Sequence, residues 1–336
     1  MRIVTLSLIA VFLAGVPAAR VAAQGPESTV YISVVATKLF VVGAANPQTG
    51  IHYQHPSADT VWQHTGAVNI RAFGVAVHPG SGQKVLYIAS GNGLHKSTDG
   101  GATWRITTGW NITEVQSVSP DPFDPDRVYI GTPYGVYRTA DGCRTWQEAS
   151  SGLDSRFISQ VTASPLVKGQ VYCASESGAY VSTDGAATWA RMGLSVSGVR
   201  TLVQHPRDPK IFAAGTEDHG LYMSTDGGTV WTRREAGIDH LTFYAIAFDP
   251  AAPDTMYAAG YVTGVYRSVD GGASWRRMND GLGVLTFKCL AVDPRDGRRV
   301  YAGAYWGGVY VTVDRGGHWR PIGPPDSQVW TISIQP

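Results

Sequence analysis

Charge is scarce in this chain and evenly split. There are 27 Lys and Arg against 26 Asp and Glu, 16% of residues are charged, and the formal net charge is +1. That balance offers no basic stripe for nucleic acid and no field to hold the protein on an anionic membrane. Long apolar runs are missing as well: the longest, from Ile3 to Val16, falls short of the roughly 20 residues a spanning helix needs. Cysteine is limited to Cys143, Cys173 and Cys289. An odd count rules out a complete disulfide framework; one bridge between Cys143 and Cys173 is conceivable in an oxidising compartment, and buried free thiols are the expected state. The nine histidines show no HExxH pattern and no paired ligand spacing, so neither a metal nor a cofactor is expected.

What the chain has in quantity is glycine, 40 residues, together with 10 Trp and 16 Tyr. Those suit a turn-rich all-β protein. The stretch Ser268-Val-Asp-Gly-Gly-Ala-Ser-Trp275 has relatives at Ser97 to Trp104, Thr139 to Trp146, Ser182 to Trp189, Ser224 to Trp231 and Thr312 to Trp319, and one more step back reaches Trp62. A period of 42 to 44 residues is that of a propeller or solenoid. In each copy a strand ends at Ser or Thr, the Asp accepts backbone N–H groups, and the glycines supply the positive φ that reverses the chain. The Asp residues 99, 141, 184, 226, 270 and 314 are therefore expected to be structural, since six equivalent turns cannot all be active sites. Trp104, Trp146, Trp189, Trp231, Trp275 and Trp319 are expected to form each blade's local core, burying roughly 150–250 Å² apiece, on the order of 4–6 kcal/mol as an upper estimate.

Ser/Thr-x-Asp-x-Gly-x-Thr/Ser-Trp resembles the Asp box, or BNR repeat, of sialidases, xyloglucan-degrading endoglucanases, sortilin-type receptors and photosystem II assembly-factor propellers. The resemblance covers nearly all of residues 24–336 and implies a β-propeller. It implies little about chemistry, because those families share turns and not active sites.

Residues 1–23 read as a signal peptide: Arg2, the apolar run, Pro17, and Val21-Ala22-Ala23 before Gln24. The expected product is a secreted or periplasmic bacterial protein, a monomer without a membrane span, with a formal charge of −1 once Arg2 and Arg20 leave the +1 chain. Residues 24–336 are expected to form one domain.

A repeat divides into four strands, illustrated by Thr242 to Asp249, Thr255 to Gly260, Gly264 to Ser268 and Ser274 to Met278, denoted a, b, c and d from the inside outwards. Strand a is expected to end at Pro79, Pro120, Pro165, Pro206, Pro250, Pro294 and Pro336, which predicts seven blades. Gln328 to Pro336 then closes the ring as strand a of an N-terminal blade formed by Lys38 to Gly43 (b), Gly50 to Gln54 (c) and Thr60 to His64 (d). Tyr31 to Ala36 has no slot in this scheme.

Box turns lie on one face, so a ligand site is expected on the other, where the repeats disagree. Six residues before each strand-a proline stand Phe73, Glu114, Ser159, Arg200, Tyr244, Lys288 and Trp330. Arg200, Tyr244, Lys288 and Trp330 form the candidate ligand-binding arc, suited to a glycan or an extended protein segment. Arg71, Arg156 and Arg200 could form a basic cluster. Glycosidase chemistry would need two carboxyl groups some 5–9.5 Å apart, with Glu114, Glu176 and Asp218 as candidates and Asp239 on the same face. No Arg-Ile-Pro motif of the sialidase kind occurs, and the chain has length for one propeller where the xyloglucan-degrading enzymes use two. A non-catalytic binding scaffold is the favoured reading, and a glycoside hydrolase the alternative.

Overall fold

The computed structural model describes residues 28–38, 48–55, 61–66 and 69–336. These contain no helix; they form seven four-stranded antiparallel sheets arranged as a propeller. The inner strands, in blade order from blade II, are Ala72–Val77, Ser117–Pro120, Ile158–Ala163, Val199–Gln204, Phe243–Phe248 and Phe287–Val292. Blade I is closed by Ser327–Gln335, which pairs with Thr29–Thr37. Ring closure by the C-terminal strand is thus as expected.

Strand b of blade I differs from the expectation. It is Thr29–Thr37, pairing with both Ser327–Gln335 and Gly50–Gln54, so Tyr31 to Ala36 has a slot after all. Lys38 is a turn residue, and 39–43 lie outside the described residues. The physical reason is the same in all blades: strand b is sandwiched between neighbours and buried on both faces, and Thr29–Thr37 is buried at every position but Ala36. Strand d of this blade is Gln63–Thr65.

The core lies between the blades. Seven apolar clusters each draw residues from two neighbours; one joins Tyr129, Val136 and Ala149 of blade III to Ile158, Cys173, Tyr180 and Trp189 of blade IV. Another joins Val30, Ile32, Val329 and Ile332 of blade I to Cys289, Tyr301 and Val311 of blade VII, with Trp62 packed against it. While Trp104, Trp231 and Trp275 donate their indole N–H to a glycine carbonyl of their own box, the box tryptophans all pack in clusters shared by two blades, so the core expected of them is not confined to one blade. Three of them donate their indole N–H to the previous blade's outer strand region: Trp146 to Thr107 O at 3.1 Å, Trp189 to Ala149 O at 2.7 Å and Trp319 to Met278 O at 2.9 Å. Trp62, which lacks a box, does the same to Ile322 O at 2.8 Å.

The box turns are held by local hydrogen bonds, as the one at Asp270 shows. Ser268 Oγ donates to Asp270 Oδ1 at 2.7 Å and accepts from Gly272 N at 2.9 Å, and Ser274 N and Oγ both donate to Asp270. Gly271 and Gly272 take φ of 67° and 80°. The donors of Ser274, then of Ser268, hold the Asp270 carboxyl down at about 2. All three cysteines are free and buried.

Candidate site at the channel mouth

The inner strands line a central cavity of about 590 Å³ whose walls include Phe73, Gln116, Ser159, Arg200, Tyr244, Lys288 and Trp330. One local feature puts those residues there. In six blades the pairing of strands a and b skips one strand-a residue: Phe73, Ser159, Arg200, Tyr244, Lys288 and Trp330. A bulged residue loses its ladder bond and its side chain is re-aimed, and here the re-aimed side chains line one cavity.

The seventh position is Gln116, not Glu114. Strand a of blade III pairs Ser117 with Gly131, as Gly74 pairs with Ala89 in blade II, which places Gln116 level with Phe73. The proline that matches Pro79 is Pro122, because Asp121 is buried like Asp249 and Asp293 before Pro250 and Pro294. Pro120 is an additional proline two residues earlier. Glu114 stands instead in the loop leading into the strand, at φ 51°, where its N–H donates to Gly91 O at 3.0 Å.

Arg200, Tyr244, Lys288 and Trp330 do come together, in a different division of labour from the alternating arc. Lys288 Nζ lies 3.6 Å from the Tyr244 ring centroid, 5.2 Å from that of Trp330 and 5.5 Å from that of Tyr305. The rings' negative faces favour the ammonium. Burial works against it and is the larger influence: the Lys288 amine is pulled down to about 8, with Glu217 opposing and Arg200 adding to the fall. Among the described residues no carboxylate comes within ion-pair distance of Lys288. Trp330 meets the Phe73 ring edge-on at 5.2 Å, and its indole N–H is buried with no acceptor. Burial also raises the Tyr244 phenol.

Arg200 is already occupied. Its Nε donates to Glu217 Oε2 at 2.7 Å, its Nη2 pairs with the same carboxylate, and its Nη1 lies 2.9 Å from Glu176 Oε2. Glu217 was missed from sequence although it directly follows Thr216, the last residue of strand b in blade V; that loop position was the available signal. The other arginines stand elsewhere: Arg156 pairs with Glu148, and Arg71 lies 5.1 Å from the Phe73 ring. The expected basic cluster therefore does not form. Asp218 is exposed, accepting from Thr242 Oγ1 at 2.9 Å. Asp239 accepts from Tyr266 and from Arg277 Nη2 at 2.6 Å. Of the acids considered, Glu176 shares Arg200 with Glu217; Glu114 and Asp218 sit apart. No group of three or more His, Cys, Asp or Glu among the described residues could hold a metal ion.

Comparison with known proteins agrees on the fold. A family model described as Sortilin, neurotensin receptor 3 (Sortilin-Vps10) matches residues 134–261. No curated protein matches the sequence. Among solved structures, an ancestral GH74 enzyme is similar with TM-score 0.63 and 22% identity over 79% of this chain and 38% of that one. YCF48 bound to D1 peptide is similar with TM-score 0.59 and 18% identity over 77% of this chain and 89% of that one. The extracellular domain of the two-component-system protein BT4673 from B. thetaiotaomicron gives TM-score 0.65 and 15% identity over 84% of this chain and 38% of that one. The chain thus spans about two fifths of the GH74 and BT4673 chains it resembles. The chain is thus a seven-bladed β-propeller with Asp-box turns, similar in fold to these proteins.

Proposed function

We propose that this propeller is a non-catalytic binding scaffold that seats an extended protein segment over the channel mouth, opposite the Asp boxes. The observation that carries the reading is the pair of donors left over at the bulge ring: the Lys288 ammonium without an ion-pair partner and the buried Trp330 N–H without an acceptor. An unsatisfied buried donor is costly, so a ligand bringing a carboxylate or carbonyl oxygen gains what the empty mouth lacks. Tyr244, Trp330 and Phe73 offer flat apolar surface to the rest of the segment. YCF48, similar in fold and matched over most of its length, was solved with a peptide bound, which supports a ligand of that type.

A glycoside hydrolase is the second reading, favoured by the fold likeness to the GH74 enzyme. It needs one carboxyl group kept protonated near neutrality. Glu176 and Glu217, the two acids that the structure brings together, are both engaged by the Arg200 guanidinium. Export is part of the proposal: Arg2, the apolar run and Val21-Ala22-Ala23 read as a cleaved leader, although 1–23 lie outside the described residues. Among those, no helix is long and apolar enough to cross a membrane.

The test is a panel of free-acid peptides, their C-terminally amidated counterparts and glycans, measured against the parent and Lys288→Met. Free-acid peptides are expected to bind, with amidation and Lys288→Met each weakening binding about ten-fold, or roughly 1.4 kcal/mol. Glycan binding without peptide binding, or hydrolysis of any glycan, overturns the reading.

A further inference from the structure

Lys288 is unusual for more than its missing partner. Its neighbours at the mouth comprise three aromatic rings, from Tyr244, Trp330 and Tyr305, and two charged groups, Arg200 and Glu217, which hold each other. The side chain is half-buried and lines a cavity of about 590 Å³ that a small molecule can enter. The remaining lysines are at positions 38, 84, 96, 168 and 210; Lys84, Lys168 and Lys210 are exposed to solvent. A lysine becomes nucleophilic when desolvation and a neighbouring cation disfavour its ammonium, and Lys288 has both.

We propose that Lys288 is a covalent acceptor for aldehydes, condensing with an aldehyde-bearing ligand in the channel mouth to form an imine. The nitrogen lone pair adds to the carbonyl carbon while the C=O π pair moves to oxygen. A proton passes from nitrogen to that oxygen through solvent at the open mouth, giving the carbinolamine. Loss of the hydroxyl with a second solvent proton, and of the remaining N–H proton to solvent, leaves C=N and one water. Nothing is oxidised or reduced, and no co-reactant is needed. The aromatic walls stack on a small carbonyl compound or on a sugar in its open-chain form, both of which present the same reacting group. The low-lying titration of the amine supports the geometry: near pH 7.5 an ordinary lysine is about 0.1% neutral, whereas one titrating near 8 is about a quarter neutral. Reduced basicity takes back part of that advantage, so a gain of about ten-fold in rate is expected.

The experiment incubates the full chain with glyceraldehyde, and separately with cellobiose, in the presence of cyanoborohydride, which traps an imine as a stable secondary amine. Peptide mapping reads each lysine and separates them from the α-amine. The expected result is an adduct at Lys288 forming about ten-fold faster than at Lys84, Lys168 or Lys210, with a rate that rises through a midpoint near pH 8. Labelling by glyceraldehyde alone assigns the site to small aldehydes; labelling by both assigns it to reducing sugars as well. Tyr244→Leu, which removes the nearest ring but leaves the lysine, should slow Lys288 labelling toward the exposed lysines while the protein still melts cooperatively. Labelling of Lys288 no faster than of the exposed lysines in the folded parent overturns the proposal. The proposal concerns the site read above as a segment-binding mouth but does not require that reading: segment binding is measured on unlabelled protein, so rapid labelling without peptide binding sinks only the scaffold reading, and peptide binding without rapid labelling sinks only the imine.

Discussion

The Asp turn of each box closes its hydrogen bonds within a few residues, whereas the channel mouth is complete only when residue 330 at one end of the chain meets residue 73 near the other. The box satisfies its own polar atoms: in the turn at Asp270 the carboxylate takes donors two and four residues away. The mouth satisfies its acids across blades, with Arg200 of blade V reaching Glu176 of blade IV, and leaves two donors over. Local closure repeated six times yields a surface with nothing to spare. Closure over the whole ring yields the variation, and the leftover hydrogen-bonding capacity, on which a ligand can act.

Removing the closing strand breaks the comparison most severely. Deleting residues 327–335 takes away Trp330, uncovers the edge of Thr29–Thr37 and of the blade VII packing surface, and opens the cluster that joins blades VII and I. The six boxes keep every local bond. The expected outcome is loss of cooperative melting and of solubility, read by calorimetry and sedimentation. A truncated chain that melts like the parent would show that the mouth, too, is built locally.

The same contrast explains what was legible in the sequence. Local rules were readable: the box, its spacing, the strand order and the terminal strand that closes blade I. Val30-Tyr31 was readable too, since it matches Val128-Tyr129 and Val300-Tyr301 as the opening of strand b, but a nine-residue strand starting ahead of the first complete repeat had no counterpart to be aligned with. The mouth was readable as a set of positions and not as a set of contacts. Counting back from prolines found the six bulged positions and slipped in blade III at Pro120, where a second proline follows at Pro122. Pairing across blades depends on the radial arrangement, so nothing near Arg200 in the chain announced that Glu176 and Glu217 would occupy it.

A smaller effect is expected from Asp270→Ala on the box side. Three hydrogen bonds to the carboxylate are lost and the Ser274 and Ser268 donors turn to water, for roughly 1–3 kcal/mol and a fall of a few degrees in melting temperature. Because the carboxyl titrates at about 2, below its ordinary 3.8, its contribution is present above pH 3.8 and fades as pH falls toward 2. The variant and parent should therefore converge in stability in strong acid. Lys288 labelling should be the same in both at neutral pH; a changed labelling rate would mean that the two faces are coupled.

The smallest change in stability, and the sharpest in chemistry, is expected from Arg200→Met. The aliphatic part of the side chain is kept, and Glu176 and Glu217, each substantially exposed, can take water in place of the guanidinium. Melting should move by no more than a few degrees. At the mouth, however, a cation that disfavours the Lys288 ammonium is gone, while Glu217, which favours it, is released from its partner. Both changes act in one direction: the amine should hold its proton to higher pH, and the rate of aldehyde labelling should rise through a later midpoint than in the parent. Replacing Glu217 by Gln acts in the opposite sense on Lys288 and should bring the midpoint down. If the two variants label with the same midpoint as the parent, the charges at the mouth act only on each other, and Lys288 takes its character from the aromatic walls alone.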